Sequence, residues 1–447
     1  MTKLIKNATI VNEGASFTGT VLIDNDGNIT RIIKGLYDIT ILPSDCEVID
    51  ATGLYLIPGC IDDQVHFREP GLTYKADIQS ESRAAVAGGV TSYMEMPNTK
   101  PPTTTREAIE WKQKRASQVS SANYSFWIGA TNDNIDEINR LDYSRICGIK
   151  LFMGSSTGNM LVDNDKSLNN LFANAPCLIA THCEDEATVK NNLRKFRERY
   201  GEDVPWRCHA EIRSAEACVI SSTKAARLAR KYGTKLHILH LSTAEELSLL
   251  DNGDLDKRQI TGEVCVHHLW FSEEDYAKYG SRIKWNPSIK YASDREALRN
   301  AVREGLIPVI ATDHAPHTLE EKNQNYFQAP SGGPLVQFSL IASLTLASQG
   351  LWSIEDVVDR MCHAPALLFG VKNRGFIRVG YKADLVLLKK EPFSVTQDCI
   401  KSKCGWSPFE GTVFDWTVKE TFINGQSVFK NGKINDSVRG ECLEFIR

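Results

Sequence analysis

Residues 62–71 read DDQVHFREPG and follow the apolar run LYLIPGCI. On an extended strand alternate side chains share a face, so Gln64 and His66 point to the same side. A strand end built to hold a metal would offer His-x-His there. This chain offers Gln-Val-His, which leaves open an altered metal site or a relic that has lost its metal.

Seven further runs of the same kind follow: GVTSYMEMP, NYSFWIGAT, CGIKLFM, PCLIATHC, KLHILHLS, ITGEVCVHHL and IPVIATDHAP. Helical patterns lie between several of them. Residues 214–232 are the clearest, with Ala215, Cys218, Ser222, Ala225, Ala229 and Tyr232 at three- and four-residue spacing, and with Gly233 as the stop. Apolar runs alternating with helices are the mark of a parallel sheet, and eight of them predict a (β/α)8 barrel over residues 56–367. The two ends differ in style. Residues 1–55 and 368–447 read as short strands with Asn-Gly and related turns, and they are expected to join as one β-sandwich.

Polar residues collect at the C-terminal ends of the runs: His66, Asn98, Lys150, His182, His240 and Asp313. In a barrel these ends converge on one face, where the active site is built. Each residue alone has a plain explanation as a surface or capped side chain; their joint placement is what points to chemistry. Histidine and carboxylate donors suit Zn²⁺. Asp313, in TDHAPH, is placed to ligate a metal and to carry a proton.

A net charge of −4 gives no basic field for nucleic acid or an anionic membrane. No apolar run nears the ~20 residues of a spanning helix. The start, MTKLIKNATIVNEG, alternates like a strand and is not read as a signal peptide. None of the 12 cysteines forms a C-x-x-C pair, and several lie in apolar runs, as expected of reduced thiols in a cytoplasmic protein.

IPGCIDDQVHFREPG, EMPNT, GIKLFMGSSTG, THCED, LHILHLST, EVCVHHL, KWNPSIK, TDHAPH, SPFEG and RVGYKADLVLL, in this order over nearly the whole chain, resemble the cyclic amidohydrolases. That superfamily holds dihydroorotases, allantoinases and dihydropyrimidinases, and the dihydroorotases of the longer, multifunctional type match best. The resemblance implies reversible, metal-dependent cyclisation of N-carbamoyl-L-aspartate to L-dihydroorotate in pyrimidine synthesis. The alternatives are another cyclic amidohydrolase, or an inactive dihydroorotase-like partner that scaffolds aspartate transcarbamoylase.

Residue by residue, the resemblance makes Arg68, Asn98 and His317 a carboxylate clamp and puts Asn286 on the pyrimidine ring. It makes Lys150 a bridging ligand carrying carbon dioxide as a carbamate, although many longer-type relatives use an aspartate near this point. His182 and His240 would hold one metal. His66, Asp313 and the Lys150 carbamate would hold the other, with Gln64 as a weak or absent ligand; one or two Zn²⁺ per chain are expected. His237, three residues before His240, would face the other way and pack. His267 and His268 are read as support, since Val266 replaces the proline usual before them. A homodimer is expected, and association with aspartate transcarbamoylase would follow from the partner alternative.

GSSTG (154–158) also matches the G-x-S-x-G nucleophile elbow, with Ser156 as the nucleophile. No helical pattern follows it. It is read as a loop over the site beside Lys150.

Overall fold

The structure, a computed structural model, describes residues 2–36, 46–154 and 160–447. Ser156 lies outside the described residues.

Eight consecutive parallel strands form the barrel: Cys60–Val65, Val90–Glu95, Asn123–Phe126, Ile149–Phe152, Ile179–His182, Leu236–Ile238, Ile260–Cys265 and Val309–Ala311. The third is interrupted at Trp127 and resumes as Ile128–Gly129, which pairs with the fourth. The circle closes where the His66 amide donates to the His314 carbonyl at 2.7 Å. Every residue of the first strand is buried. Strands covered on both faces carry apolar side chains at nearly every position, which is why the eight runs read continuously in the sequence.

Cross-strand partners share a face of a sheet. Gly129, Lys150, Ala180, His237 and Thr261 pair in succession across the third to seventh strands and so form one row around the barrel. Toward the N-terminal end of the strands, Met94, Trp127, Leu178 and Phe369 pack with Ala180 into an apolar floor. The Trp127 indole N–H is satisfied by the Asp63 carbonyl at 2.9 Å. Toward the C-terminal end the row leads to polar side chains.

Helix Ala215–Tyr232 covers the barrel as the small-residue stripe predicts. Ser214 caps it through the Ala217 amide, and Cys218, Ser222, Ala225 and Ala229 are buried beneath it. Small side chains let its axis lie close to the strands.

Both chain ends enter one nine-stranded sheet. Leu385–Lys389 runs antiparallel to Tyr55–Pro58, which runs parallel to Thr2–Asn12. Two Asn-Gly pairs, Asn424-Gly425 and Asn431-Gly432, turn the C-terminal strands back; all four residues have positive φ, between 47° and 82°. That is the two-residue turn whose twist matches its flanking strands, and Asn and Gly tolerate it best. The chain passes from this sheet into the barrel at Gly59.

Candidate active site

All ten residues singled out for the site line one cavity of about 380 Å³ at the C-terminal ends of the barrel strands. The cavity has two chemically distinct walls.

The first wall is rich in lone pairs. His66 Nδ1 lies 2.6 Å from Asn98 Oδ1, and its Nε2 lies 2.9 Å from Asp313 Oδ1. Asn98 Oδ1 can only accept, so Nδ1 carries the proton and Nε2 turns a lone pair toward a carboxylate. Burial pushes the His66 imidazolium toward its neutral form, against the pull of Asp313. Two acceptors this close call for a shared cation.

Across the cavity His182 Nδ1 lies 3.0 Å from His240 Nε2. Glu184 Oε2 receives the far nitrogen of His182 at 2.9 Å and is also gripped by Arg213 at 2.5 Å. Burial works to raise the Glu184 carboxyl, but Arg213 and His182 outweigh it and hold the carboxyl well below its ordinary range. Glu184 therefore fixes the His182 ring with Nδ1 facing the cavity. His240 Nδ1 is buried without a hydrogen-bond partner.

Lys150 lies between these pairs on the fourth strand and is 1% exposed. Burial pushes its amine down to about 7, despite Asp313 and Glu263 nearby. Gln64 is engaged on both sides of its amide. Its Nε2 donates to Asp313 Oδ1 at 3.4 Å, and its Oε1 lies 3.7 Å from the Cys265 thiol.

The second wall is rich in donors. Arg68 Nε donates to the Pro316 carbonyl at 3.0 Å, which fixes its guanidinium. Lys75 Nζ donates to His317 Nδ1 at 2.9 Å. His317 then carries its proton on Nε2, which faces the Ser331 carbonyl at 3.0 Å. Arg68 Nη2, also 3.0 Å from that nitrogen, finds no acceptor in it. Burial, with the Arg68 charge beside it, holds His317 well below the ordinary imidazole value, so it is neutral. Lys100 lines the same wall. Glu321 pairs with Lys75 at 2.8 Å and lies 3.6 Å from His317, while no carboxylate pairs with Arg68 among the described residues. Farther round, Asn286 Oδ1 is buried without a partner and can accept from a ligand N–H.

Lys75, Lys100 and Glu184 escaped the sequence reading. Glu184 stands in the quoted THCED, two residues after His182. Lys75 and Lys100 sit on loops, where no periodicity shows which way a side chain turns.

His237 corrects an expectation. It belongs to the row with Lys150 and Ala180, the face from which His182 also projects two residues later. His240 meets His182, so both histidines of LHILHLS turn inward. The strand ends at Ile238 and His240 takes φ +41°, which breaks the alternation that would separate them. His268 Nε2 lies 3.3 Å from the Pro287 carbonyl, and His267 stacks on Trp285 at 4.5 Å.

The first wall fits a divalent metal. Three neutral imidazoles and a carboxylate face inward: His66 Nε2 meets Asp313 lone pair to lone pair, and His240 Nε2, which can donate to His182 Nδ1, offers a lone pair to an ion once its proton sits on Nδ1. Among the described residues, tight three-donor groups also occur at Asp63–His237–Glu263 and at Cys265–His267–His268.

Comparison with known proteins agrees with this geometry. The Amidohydrolase family profile matches residues 55–428. The chain belongs to the amidohydrolase family. It is 33% identical to a dihydroorotase of Methanosarcina acetivorans, covering 98% of this chain and 95% of that one. It is 30% identical to an allantoinase of Bacillus velezensis, over 96% and 94% of the two chains. The L-hydantoinase (dihydropyrimidinase) of Arthrobacter aurescens superposes with a TM-score of 0.91 at 25% identity, covering 99% of each chain. The protein is a hydrolase of cyclic amides, of a metal-dependent family, acting on a small molecule. No helix among the described residues is long and apolar enough to cross a membrane.

Proposed function

We propose that the enzyme is a dihydroorotase, opening L-dihydroorotate to N-carbamoyl-L-aspartate and closing it again. The observation that carries this reading is the donor wall. Arg68, which has no carboxylate partner among the described residues, faces the cavity where a substrate carboxylate would lie, with Lys75 and His317 beside it, held by Glu321 and the Ser331 carbonyl. Dihydroorotate carries that carboxylate; dihydrouracil and allantoin do not. A guanidinium with unused N–H groups gives a carboxylate strong, charge-assisted hydrogen bonds. The dihydroorotases among the relatives support the same choice.

His66, His182, His240 and Asp313 would hold the metal, with the Lys150 amine, carboxylated by carbon dioxide, as a further ligand; Gln64, already bonded to Asp313, contributes weakly. Zn²⁺ suits this donor set, and when bound it acidifies water and polarises a carbonyl. The chain's own residues do the rest. The donor wall anchors the carboxylate and so turns the ring amide toward Asp313. Asn286 accepts a ring N–H. In the hydrolytic direction the oxygen of water bonds to the amide carbon and the ring C–N bond breaks. Asp313 takes the proton from the water and passes it to the leaving nitrogen. Cyclisation runs the same path backwards.

The test is turnover by the purified chain, supplied with Zn²⁺ and bicarbonate, on L-dihydroorotate, dihydrouracil and allantoin. Preference for dihydroorotate is expected. Faster turnover of either uncharged ring would move the assignment to the enzymes of those rings, and no turnover of any would favour the inactive partner.

A further inference from the structure

The barrel also holds ligand-type side chains that the reaction does not use. Asp63 on the first strand, His237 on the sixth and Glu263 on the seventh are each 0% exposed. One ligand atom from each lies within 4.8 Å of the other two. His237 Nε2 is 3.3 Å from Glu263 Oε2 and 3.8 Å from Asp63 Oδ2. Its other nitrogen is 2.8 Å from the Thr261 hydroxyl. That bond holds the ring with Nε2 toward the carboxylates, as a ligating histidine is held by its far nitrogen in metal sites.

No N–H or hydroxyl donor reaches either oxygen of Asp63, and its polar neighbour is the Glu263 carboxyl, close enough to share a proton with it. The histidine is the sole cationic-type side chain within 4 Å of either carboxylate among the described residues. A buried, ionised carboxylate without a partner is among the costliest features a fold can carry. Two side by side demand either a shared proton or a cation.

Strict alternation would turn Asp63 away from the barrel interior. The pairing of the first and second strands is irregular between Asp62 and Val65, and such a bulge lets consecutive side chains reach one side.

We propose that Asp63, His237 and Glu263 form a site for a divalent cation of the zinc class, in the row of the barrel from which Lys150 also projects and separate from the donors His66, His182, His240 and Asp313. Two carboxylates balance the charge of the ion, and a neutral imidazole completes a set of N and O donors that zinc accepts. The site also braces the cavity. Glu263 Oε1 accepts from the His240 backbone N–H at 3.3 Å, so an ion that fixes Glu263 fixes the bend that aims His240. The proposal does not depend on which cyclic amide is the substrate.

The test uses the full chain purified with Zn²⁺. Anomalous diffraction at the zinc edge should show a peak enclosed by the three side chains. Mass-spectrometric metal counts after identical dialysis should fall by about one zinc per chain in Asp63→Val, which keeps a strand-compatible side chain but removes the donor. Cobalt loading gives an independent count through its visible absorption. Absence of the peak with zinc in excess, or an undiminished metal count in a folded Asp63→Val protein, would overturn the site and leave a proton shared by the two carboxyls. If Asp63→Val does not fold, the anomalous map of the unaltered chain decides alone. Dihydroorotate turnover is measured separately, so failure here is distinguishable from failure of the functional reading.

Discussion

The two walls of the cavity are electrostatic opposites. One presents lone pairs from His66, His182, His240 and Asp313, and lacks a cation. The other gathers Arg68, Lys75 and His317; Glu321 answers Lys75, and the Arg68 guanidinium has no carboxylate partner among the described residues. The first wall stands on the ends of the first, fifth, sixth and eighth strands, whose positions the barrel sets. The second stands largely on the loops that follow the first and eighth strands. Under the proposed function the contrast separates the shared chemistry from the specificity: the strand-borne wall would serve any cyclic amide, and the loop-borne wall would select an acidic one.

This division predicts which damage is general and which is selective. The largest effect is expected from Asp313→Asn, which removes the proton carrier from the first wall. It should lower kcat by roughly 10²–10⁴ for every substrate the enzyme accepts, the range ascribed to a positioned acid–base group. A variant retaining most of its turnover would remove Asp313 from that role.

Glu184→Gln should act on the same wall through position. Losing the charge that fixes His182 should weaken metal binding by about 10–100-fold, the usual cost of removing a group that orients a ligand. Metal titration by competition with a chelator checks this, and an unchanged affinity would mean that the fold alone aims the ring.

The Lys150 amine, held near 7 by its burial, gives a pH dependence with a definite sign. Only the neutral amine adds carbon dioxide. At fixed dissolved carbon dioxide, carboxylation of the metal-free protein should be roughly tenfold slower at pH 6 than at pH 8, following the neutral fraction of an amine with that pKa. Isotope-labelled carbon dioxide followed by NMR measures it. A rate that does not fall with acid would contradict the assignment of a buried, readily deprotonated lysine.

A smaller change is expected from Gln64→His. Restoring an imidazole should raise the metal retained in the cavity by at most about one ion per chain, if the space held by Cys265 and Asp313 admits the ring. Equal retention by both proteins would show that Gln64 does not limit the site.

The sequence exposed the barrel because strands buried on both faces carry long apolar runs, and it exposed the first wall because those runs end in His66, His182, His240 and Asp313. It hid what irregular backbone decides. Asp63 reaches the interior through a bulge. His237 and His240 share a side because the chain bends after Ile238. Lys75 meets His317 across 242 positions of sequence, between loops that carry no period to read. The specificity wall was therefore visible only in part, through Arg68 and His317, which were placed by resemblance rather than by pattern; Asn98, the third residue of the expected clamp, is bonded to His66 on the other wall.

The most direct measurement is the ratio of kcat/KM for L-dihydroorotate to that for dihydrouracil, taken in the unaltered enzyme and in Arg68→Met. The unaltered enzyme should prefer dihydroorotate. Arg68→Met should cut that preference by about 10–100-fold, the worth of one hydrogen bond to a charged group, ~1.5–3 kcal/mol, and should do so by slowing dihydroorotate alone. Equal losses on both substrates, or an unaltered enzyme that turns over dihydrouracil as well as dihydroorotate, would contradict a wall built for a carboxylate.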